Sequence, residues 1–274
     1  MLKTKDKLVA VLNFEGEAMA TCSHKAYKTL ALVGLIIAAI LLISSFLLAF
    51  LWSPLVKGVP LAQSASIGGE LVSNKLLFSQ KIFFFHVPVA ISSFVLLGFG
   101  AYFGLRFLLT KDKDRQQNYD LKAQASIWAA LVFIIMTMVS GVPWTRFEWG
   151  VWWVWEPRLT TYFILMLLVI TYWVLRMALS ESHKQARLCA AFSILMFLDA
   201  PLSFMITRLT PSSIHPVVIK SQSSLPSEIL VPFVMAIIGM FLVAYALSYL
   251  RYQVLCQEHA LMKLKYRLDS LRKA

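Results

Sequence analysis

Charged residues are scarce in this chain of 274 residues. They make up 15% of the sequence, hydrophobic residues make up 59%, and the mean hydropathy is +0.70. Soluble domains carry about 25% charged residues, so the composition excludes an ordinary soluble protein and predicts an integral membrane protein. The polar stretches between the apolar runs are short, which favours a single membrane domain without an appended soluble one.

Several motifs of common chemistry are absent as well. The three cysteines form no CxxC pair, which argues against thiol exchange. Neither a P-loop nor a GxGxxG sequence occurs, so the usual glycine-rich phosphate sites are missing. The net charge of +12 could indicate nucleic-acid binding, but the basic residues cluster in particular loops, as membrane orientation requires. We therefore expect a lipid bilayer, and no nucleic acid, as the partner of these charges.

Six apolar runs are each long enough to cross a hydrocarbon layer of about 30 Å as a helix. They lie at about 29–52, 82–109, 123–142, 158–179, 188–208 and 229–250. The first run follows 28 mostly polar residues and is too long for the apolar part of a cleaved signal peptide, so it is expected to remain as an anchor. The predicted fold class is an all-α integral membrane protein, a six-transmembrane-helix bundle over 29–250 with an outer-face Trp-rich amphipathic segment.

Lysine and arginine are distributed unequally between the two ends of this bundle. Of the 26, 18 fall in the segment 1–28, the 110–122 loop, the 176–187 turn and the tail 251–274, whereas six fall in the opposite loops. The positive-inside rule then places both termini in the cytoplasm. Segment 1–28 is accordingly a cytoplasmic N-terminal segment, and 251–274 is a cytoplasmic basic tail, expected as an amphipathic helix along the inner leaflet.

The outer loop between the third and fourth runs, residues 143–158, is rich in tryptophan. It contains Trp144, Trp149, Trp152, Trp153 and Trp155. An interfacial aromatic belt explains one or two such residues at a helix end, and five indicate a binding surface. If 149–156 is helical, positions 149, 152, 153 and 156 share one face. That face would be a flat aromatic shelf suited to a large planar apolar ligand such as a porphyrin.

Charged residues border this loop. Glu156 precedes Pro157, which is favoured at the first helical position, so the Trp segment is expected to end there and the fourth helix to begin. Arg146 and Arg158 are suited to pair with ligand carboxylates such as haem propionates. Contact with lipid headgroup phosphates is an equal alternative for both arginines.

Two of the five histidines fall on the same outer side. His86 lies in FFFHVPVA near the start of the second run, and His215 lies in PSSIHPVV in the last outer loop. A single histidine at a membrane interface is usually a boundary residue, but two of them around an aromatic floor could hold a haem iron from both faces. Asp199 is a carboxylate within a span and therefore a functional hypothesis, although a structural role at the kink expected from Pro201 is favoured.

The stretch WGVWWVWEPRLTT, with SGVPW and HVP before it and a histidine in the last outer loop, resembles the WWD motif of the CcmC family of haem-handling proteins in cytochrome c maturation. The likeness covers nearly the whole chain. It implies a delivery or transport protein, not an enzyme, that presents haem b at the periplasmic face of the bacterial inner membrane (or in a mitochondrion). The axial ligands it implies are His86 and His215. The residues it implies around the macrocycle are Trp144, Trp149, Trp152, Trp153, Trp155, Glu156, Arg146 and Arg158.

The same resemblance implies partners. They are the haem chaperone CcmE, the CcmA and CcmB subunits of an ATP-driven transporter, and a small membrane subunit. Two positions depart from the motif: Glu156 replaces its Asp, and Pro157 stands where the family often has Ala. Glutamate is a poorer helix N-cap than aspartate.

Three other functions stay open as alternatives. A haem lyase of the CcsA or CcmF type shares the Trp loop but is larger and has a histidine pair within its spans, which this chain lacks. A permease would have Asp199 line its path and would purify without haem. A cytochrome b-like electron carrier needs facing histidines within the bilayer, and no histidine lies in the middle of an apolar run.

Overall fold

The computed structural model describes residues 25–53, 65–67, 70–72, 74–179, 183–210 and 226–273. Within these residues the chain forms six helices and one short hairpin. The helices are α1 (Lys25–Leu51), α2 (Asn74–Leu109), α3 (Lys113–Trp149), α4 (Pro157–Ala178), α5 (His183–Leu209) and α6 (Ser227–Lys273). Between α1 and α2, β1 (Ala65–Ile67) pairs antiparallel with β2 (Glu70–Val72).

All six helices are long and apolar enough to cross a membrane, which confirms the predicted six-helix class. Their outward faces carry large apolar side chains, as lipid contact requires. On α1, for example, Ile36 is 62% exposed, and on α3 Val139 is 67% exposed. An exposed apolar face of this kind is stable in hydrocarbon and would be an aggregation surface in water.

Helix α2 lies at the centre of the packing. It contacts α3, α5 and α6, while α1 packs against α6 and α4 against α5. The core contains buried residues from several helices, among them Leu97, Phe133 and Leu165. Small residues let α2 and α5 approach closely, because a Cβ added at Gly104 would lie 2.9 Å from the Ala190 carbonyl oxygen and would overlap the Ser193 hydroxyl.

The Gly104→Ala variant is therefore expected to lose about 1–3 kcal/mol of stability by overpacking. The matched control is Gly34→Ala on α1, where an added Cβ would meet only Leu242 at 4.0 Å. Alanine improves helix propensity equally at both positions, so the difference between the two variants isolates the clash. Thermal unfolding in detergent measures it. Equal midpoints for the two variants would contradict the close α2–α5 contact.

Several helices extend beyond their predicted apolar runs. Helix α2 begins at Asn74 and not near 82, and α3 begins at Lys113, so most of the segment predicted as a loop over 110–122 is helical. Helix α3 continues past residue 142 to Trp149, with Pro143 inside it. Neighbouring groups in a bundle can accommodate a proline within a helix. The prediction ended at 142 because hydropathy does not detect a helix that continues through polar residues. Helix α6 continues without a break to Lys273. The expectation of a separate helix along the leaflet over 251–274 is therefore wrong, since such a helix needs a break after residue 250.

Candidate ligand site at the tryptophan-rich end

The tryptophan-rich segment is not a helix. Helix α3 ends at Trp149, and Gly150 follows in the left-handed conformation with φ of 77° and donates its N–H to the Arg146 carbonyl oxygen at 3.2 Å. This is the usual glycine C-cap. Residues 151–156 have no helical structure, and Glu156 is extended, as a residue before proline prefers. The predicted helical face over 149–156 is therefore wrong.

Four of the five tryptophans divide into two orientations. Trp144 and Trp149 pack edge to face on α3, with ring centroids 5.0 Å apart, and Trp153 packs edge to face with Trp155 at 5.5 Å. Trp152 and Trp155 are 61% and 69% exposed. Indole surface is thus presented outward by Trp152 and Trp155, while Trp144 and Trp153 face a cavity.

Residues at the end of α3 hold this segment in place. The Thr145 hydroxyl donates to the Trp152 carbonyl oxygen at 2.7 Å. Arg146 donates to the Gly150 carbonyl oxygen, and its guanidinium lies 5.6 Å from the centre of the Trp152 ring. The segment therefore folds back over the last turn of α3. Arg146 positions the Trp-rich segment by its contacts with Gly150 and Trp152.

Glu156 is the N-cap of α4. Its Oε1 accepts a hydrogen bond from the Leu159 N–H at 2.7 Å, and the residue is only 5% exposed. Pro157 is the first residue of α4, so the predicted helix start is confirmed. The glutamate performs the capping role despite being a less favoured cap type.

A cavity of about 100 Å³ lies beside the Trp-rich segment, where α2, α3, α4 and α5 meet. His86, Trp144, Trp153 and Arg158 line it together, so four of the residues predicted to form a site converge here. His215 lies outside the described residues. A cavity of this size is below the ~300–1,000 Å³ of pockets that enclose a whole ligand. A porphyrin could insert one edge into it and would leave most of its area at the outer surface.

The imidazole of His86 is fixed by its neighbours on α3. Its Nδ1 lies 2.9 Å from Ser140 Oγ, and the Ser140 hydroxyl donates to the Met136 carbonyl oxygen at 2.8 Å. A hydroxyl has one hydrogen, and when it points to the Met136 carbonyl oxygen, Ser140 accepts and a neutral His86 donates from Nδ1. The lone pair is then on Nε2, the tautomer expected of a metal-binding histidine with a hydrogen-bonded second nitrogen.

Gly141 provides the space for this ring. A Cβ added there would lie 3.1 Å from His86 Cε1. The imidazole therefore packs directly against the α3 backbone at the cavity wall. The sequence analysis missed both Ser140 and Gly141. Their position one turn before Trp144 in SGVPW was visible, but nothing in one sequence pairs Ser140 with a histidine 54 residues earlier.

Two hydrogen-bond donors at the cavity suit an anionic oxygen. Trp153 Nε1 is buried and has no hydrogen-bond partner in the part of the chain that the structure describes. Arg158 is partly buried and donates to the Phe204 carbonyl oxygen at 3.3 Å. Among the described residues, no carboxylate lies within 4.0 Å of its guanidinium. A ligand carboxylate would satisfy both groups.

Asp199 does not line this cavity. Its Oδ2 is buried and makes no hydrogen bond to any residue described in the structure. The expected bond to backbone amides near Pro201 is therefore not made by this oxygen. Over the described ranges, no group of three or more His, Cys, Asp or Glu side chains is placed to hold a metal ion.

The sequence also matches known proteins. The sequence model of the family described as heme exporter protein C matches residues 73–266, which include α2 to α5, the Trp-rich segment and most of α6. The chain is 26% identical over 176 residues to heme exporter protein C of Escherichia coli (strain K12), covering 63% of this chain and 69% of that protein. For the protein of the same name from Paracoccus denitrificans (strain Pd 1222) the identity is 27% over 176 residues, covering 62% and 70%. For that from Haemophilus influenzae it is 27% over 179 residues, covering 64% and 71%.

Proposed function

Because the chain belongs to the heme exporter protein C family, we propose that it binds haem b at its Trp-rich end and delivers it for the biogenesis of c-type cytochromes. The observation that carries this proposal is His86, whose Nδ1 lies 2.9 Å from Ser140 Oγ and whose ring lines a cavity shared with two tryptophans and an arginine. The haem is cargo, so the proposed role is transport and not catalysis.

Each residue of the site has a part in this proposal. His86 supplies one axial nitrogen to the iron, and His215 supplies the other from the last outer loop. Trp144 and Trp153 contact the inserted edge, whereas the exposed Trp152 and Trp155 contact the macrocycle outside. Trp149 packs against Trp144 and supports it. Arg158 and the Trp153 N–H bind a propionate. Arg146 and Glu156 act by fixing the segment and the start of α4.

The proposal includes a location and partners. The chain lies in the bacterial inner membrane with both termini in the cytoplasm and the Trp-rich segment in the periplasm, which the distribution of basic residues supports. The exposed Trp152 and Trp155 leave the bound haem accessible to the chaperone CcmE. The proposed assembly also includes the CcmA and CcmB transporter subunits and a small membrane subunit, because the family resemblance implies all of these partners.

An absorption spectrum of the detergent-purified protein tests the function. Haem is expected to co-purify and to give a Soret band, and the double variant Trp152→Ala, Trp153→Ala is expected to bind haem about tenfold more weakly. The reason is that an aromatic contact contributes roughly 0.5–1.5 kcal/mol and two are lost. The matched control is Trp52→Ala, which removes a 45% exposed tryptophan at the end of α1.

Three other outcomes would each contradict part of this proposal. If the double variant keeps wild-type affinity, the tryptophans are interfacial anchors and the stacking role is wrong. If the wild-type protein binds no haem and moves a solute in vesicles, the permease is the better function. Covalent attachment of haem to an apocytochrome by the purified chain would instead identify a lyase.

A further inference from the structure

A second, larger groove lies at the opposite end of the bundle from the tryptophans. It has a volume of about 740 Å³ and lies between α2, α3 and α6. Its polar side chains include Lys122, which stands near the start of α3. The Trp-rich segment follows the end of the same helix at Trp149, ~40 Å away at 1.5 Å per residue. The groove is therefore separate from the haem site.

Lys122 is a partly buried cation between two aromatic rings. Its ammonium lies 5.7 Å from the centre of the Phe103 ring on α2 and 5.8 Å from that of Tyr252 on α6. Within the described ranges it has no carboxylate within 4.0 Å. The segment 110–122 is expected at the cytoplasmic end of the bundle, where a partly buried lysine without an anionic partner is suited to bind an anion such as a lipid phosphate.

Other hydrogen-bond donors lie beside this lysine. The Tyr252 hydroxyl donates to Asn118 Oδ1 at 3.0 Å, which leaves the Asn118 amide hydrogens for another acceptor. Ser248 Oγ is buried and has no hydrogen-bond partner in the described chain. The described residues that line the groove include no aspartate or glutamate. Among the described residues, this end of the groove therefore offers hydrogen-bond donors and a positive charge and no negative charge.

The rest of the groove is apolar and opens sideways. Leu96 and Ala244 form its inner wall, while Phe99, at 52% exposure, and Tyr245, at 41%, stand at its outer edge. In a membrane these exposed side chains face lipid tails. No histidine lines the groove, so the described residues offer haem iron no imidazole here.

We propose that this groove binds an anionic glycerophospholipid, with the phosphate at Lys122 and Asn118 and an acyl chain along Phe99 and Leu96. The basic polar end of the groove matches the phosphate headgroup of such a lipid, and the apolar channel open to the bilayer matches its acyl chain. Basic pockets between membrane helices on the cytoplasmic side bind anionic headgroups in this way. The lipid would join α2, α3 and α6 at the end of the bundle remote from haem.

Lipid binding to the full chain tests this proposal. The protein is purified in detergent, offered phosphatidylglycerol or phosphatidylcholine of matched chain length, and examined by native mass spectrometry. Phosphatidylglycerol is expected to be retained in preference. The variant Lys122→Gln is expected to reduce that retention about fivefold, the effect of one basic residue near an anionic lipid. Lys122→Arg should restore it, and the exposed Lys113→Gln on the same helix is the matched control.

Several results would overturn the proposal. They are equal retention of the two lipids, equal loss in Lys122→Gln and Lys113→Gln, or a groove occupied by another protein's helix with no lipid bound. Should Lys122→Gln fail to fold, as judged by its haem spectrum, Ser248→Leu keeps the lysine and narrows the groove. Undiminished phosphatidylglycerol binding by a folded Ser248→Leu protein would also contradict the proposal.

Discussion

Alanine at position 86 is expected to weaken haem binding roughly 100-fold or more. Loss of a group that only orients a metal ligand already costs 10–100-fold in affinity, and His86→Ala removes the proposed ligand itself. The Nε2 lone pair disappears, and the cavity between α2 and α3 grows by the volume of a ring. Titration of haem into the purified protein, followed in the Soret band, measures the loss.

Two further experiments show whether the loss of binding is due to the His86 imidazole itself. Imidazole added to His86→Ala is expected to restore part of the binding and the spectrum, because the ring fits the space between Ser140 and Gly141 that the side chain has left. The matched control is His183→Ala. His183 is exposed, bonds to Gln116 at 3.2 Å and lies at the other end of the bundle. Wild-type binding by His86→Ala would end its assignment as a ligand.

The membrane architecture was predictable from one sequence because its signals are local. Six apolar runs require six helices, since backbone groups in hydrocarbon must be paired within their own segment. The start of α4 was equally local: Pro157 and the residue before it determine the break. That His86 lies at the Trp-rich end was predictable because the order of the apolar runs is read from the chain directly, whereas its role as a ligand stays a prediction. The shared cavity with Trp144 and Trp153 confirms that these residues lie together.

The features that the sequence did not predict depend on a single glycine and on contacts between residues far apart in the chain. Helical periodicity over 149–156 predicts one aromatic face, but Gly150 in the left-handed conformation ends α3 and turns Trp152 and Trp153 to different sides. The groove at Lys122 involves residues of α2, α3 and α6 that are far apart in sequence. Apolar periodicity alone cannot determine which helices pack together. Ser140 was missed for the same reason.

The variant Ser140→Ala is expected to weaken haem binding by about 10-fold or more although Ser140 would not touch the iron. In the present geometry the serine accepts from His86 Nδ1 and so keeps the lone pair on Nε2. Alanine removes that acceptor, and the ring can then rotate or exchange its proton between the two nitrogens. The Soret band of the variant should also become heterogeneous, which a purely structural substitution would not cause. The matched control is Ser92→Ala on α2, which removes a buried hydroxyl that donates to the Pro88 carbonyl oxygen at 2.8 Å.

A threonine at position 140 distinguishes positioning from simple packing. Ser140→Thr keeps the hydroxyl on the helix, where it can still donate to a carbonyl one turn earlier and accept from imidazole, so it should recover most of the affinity. Ser140→Cys has nearly the same volume as serine but a weak acceptor, so it should behave like alanine. If cysteine and threonine both restore binding, the site needs only the volume of the side chain. The tautomer then has no part in holding the haem, and Gly141, which sets the ring against the backbone, becomes the residue that orients His86.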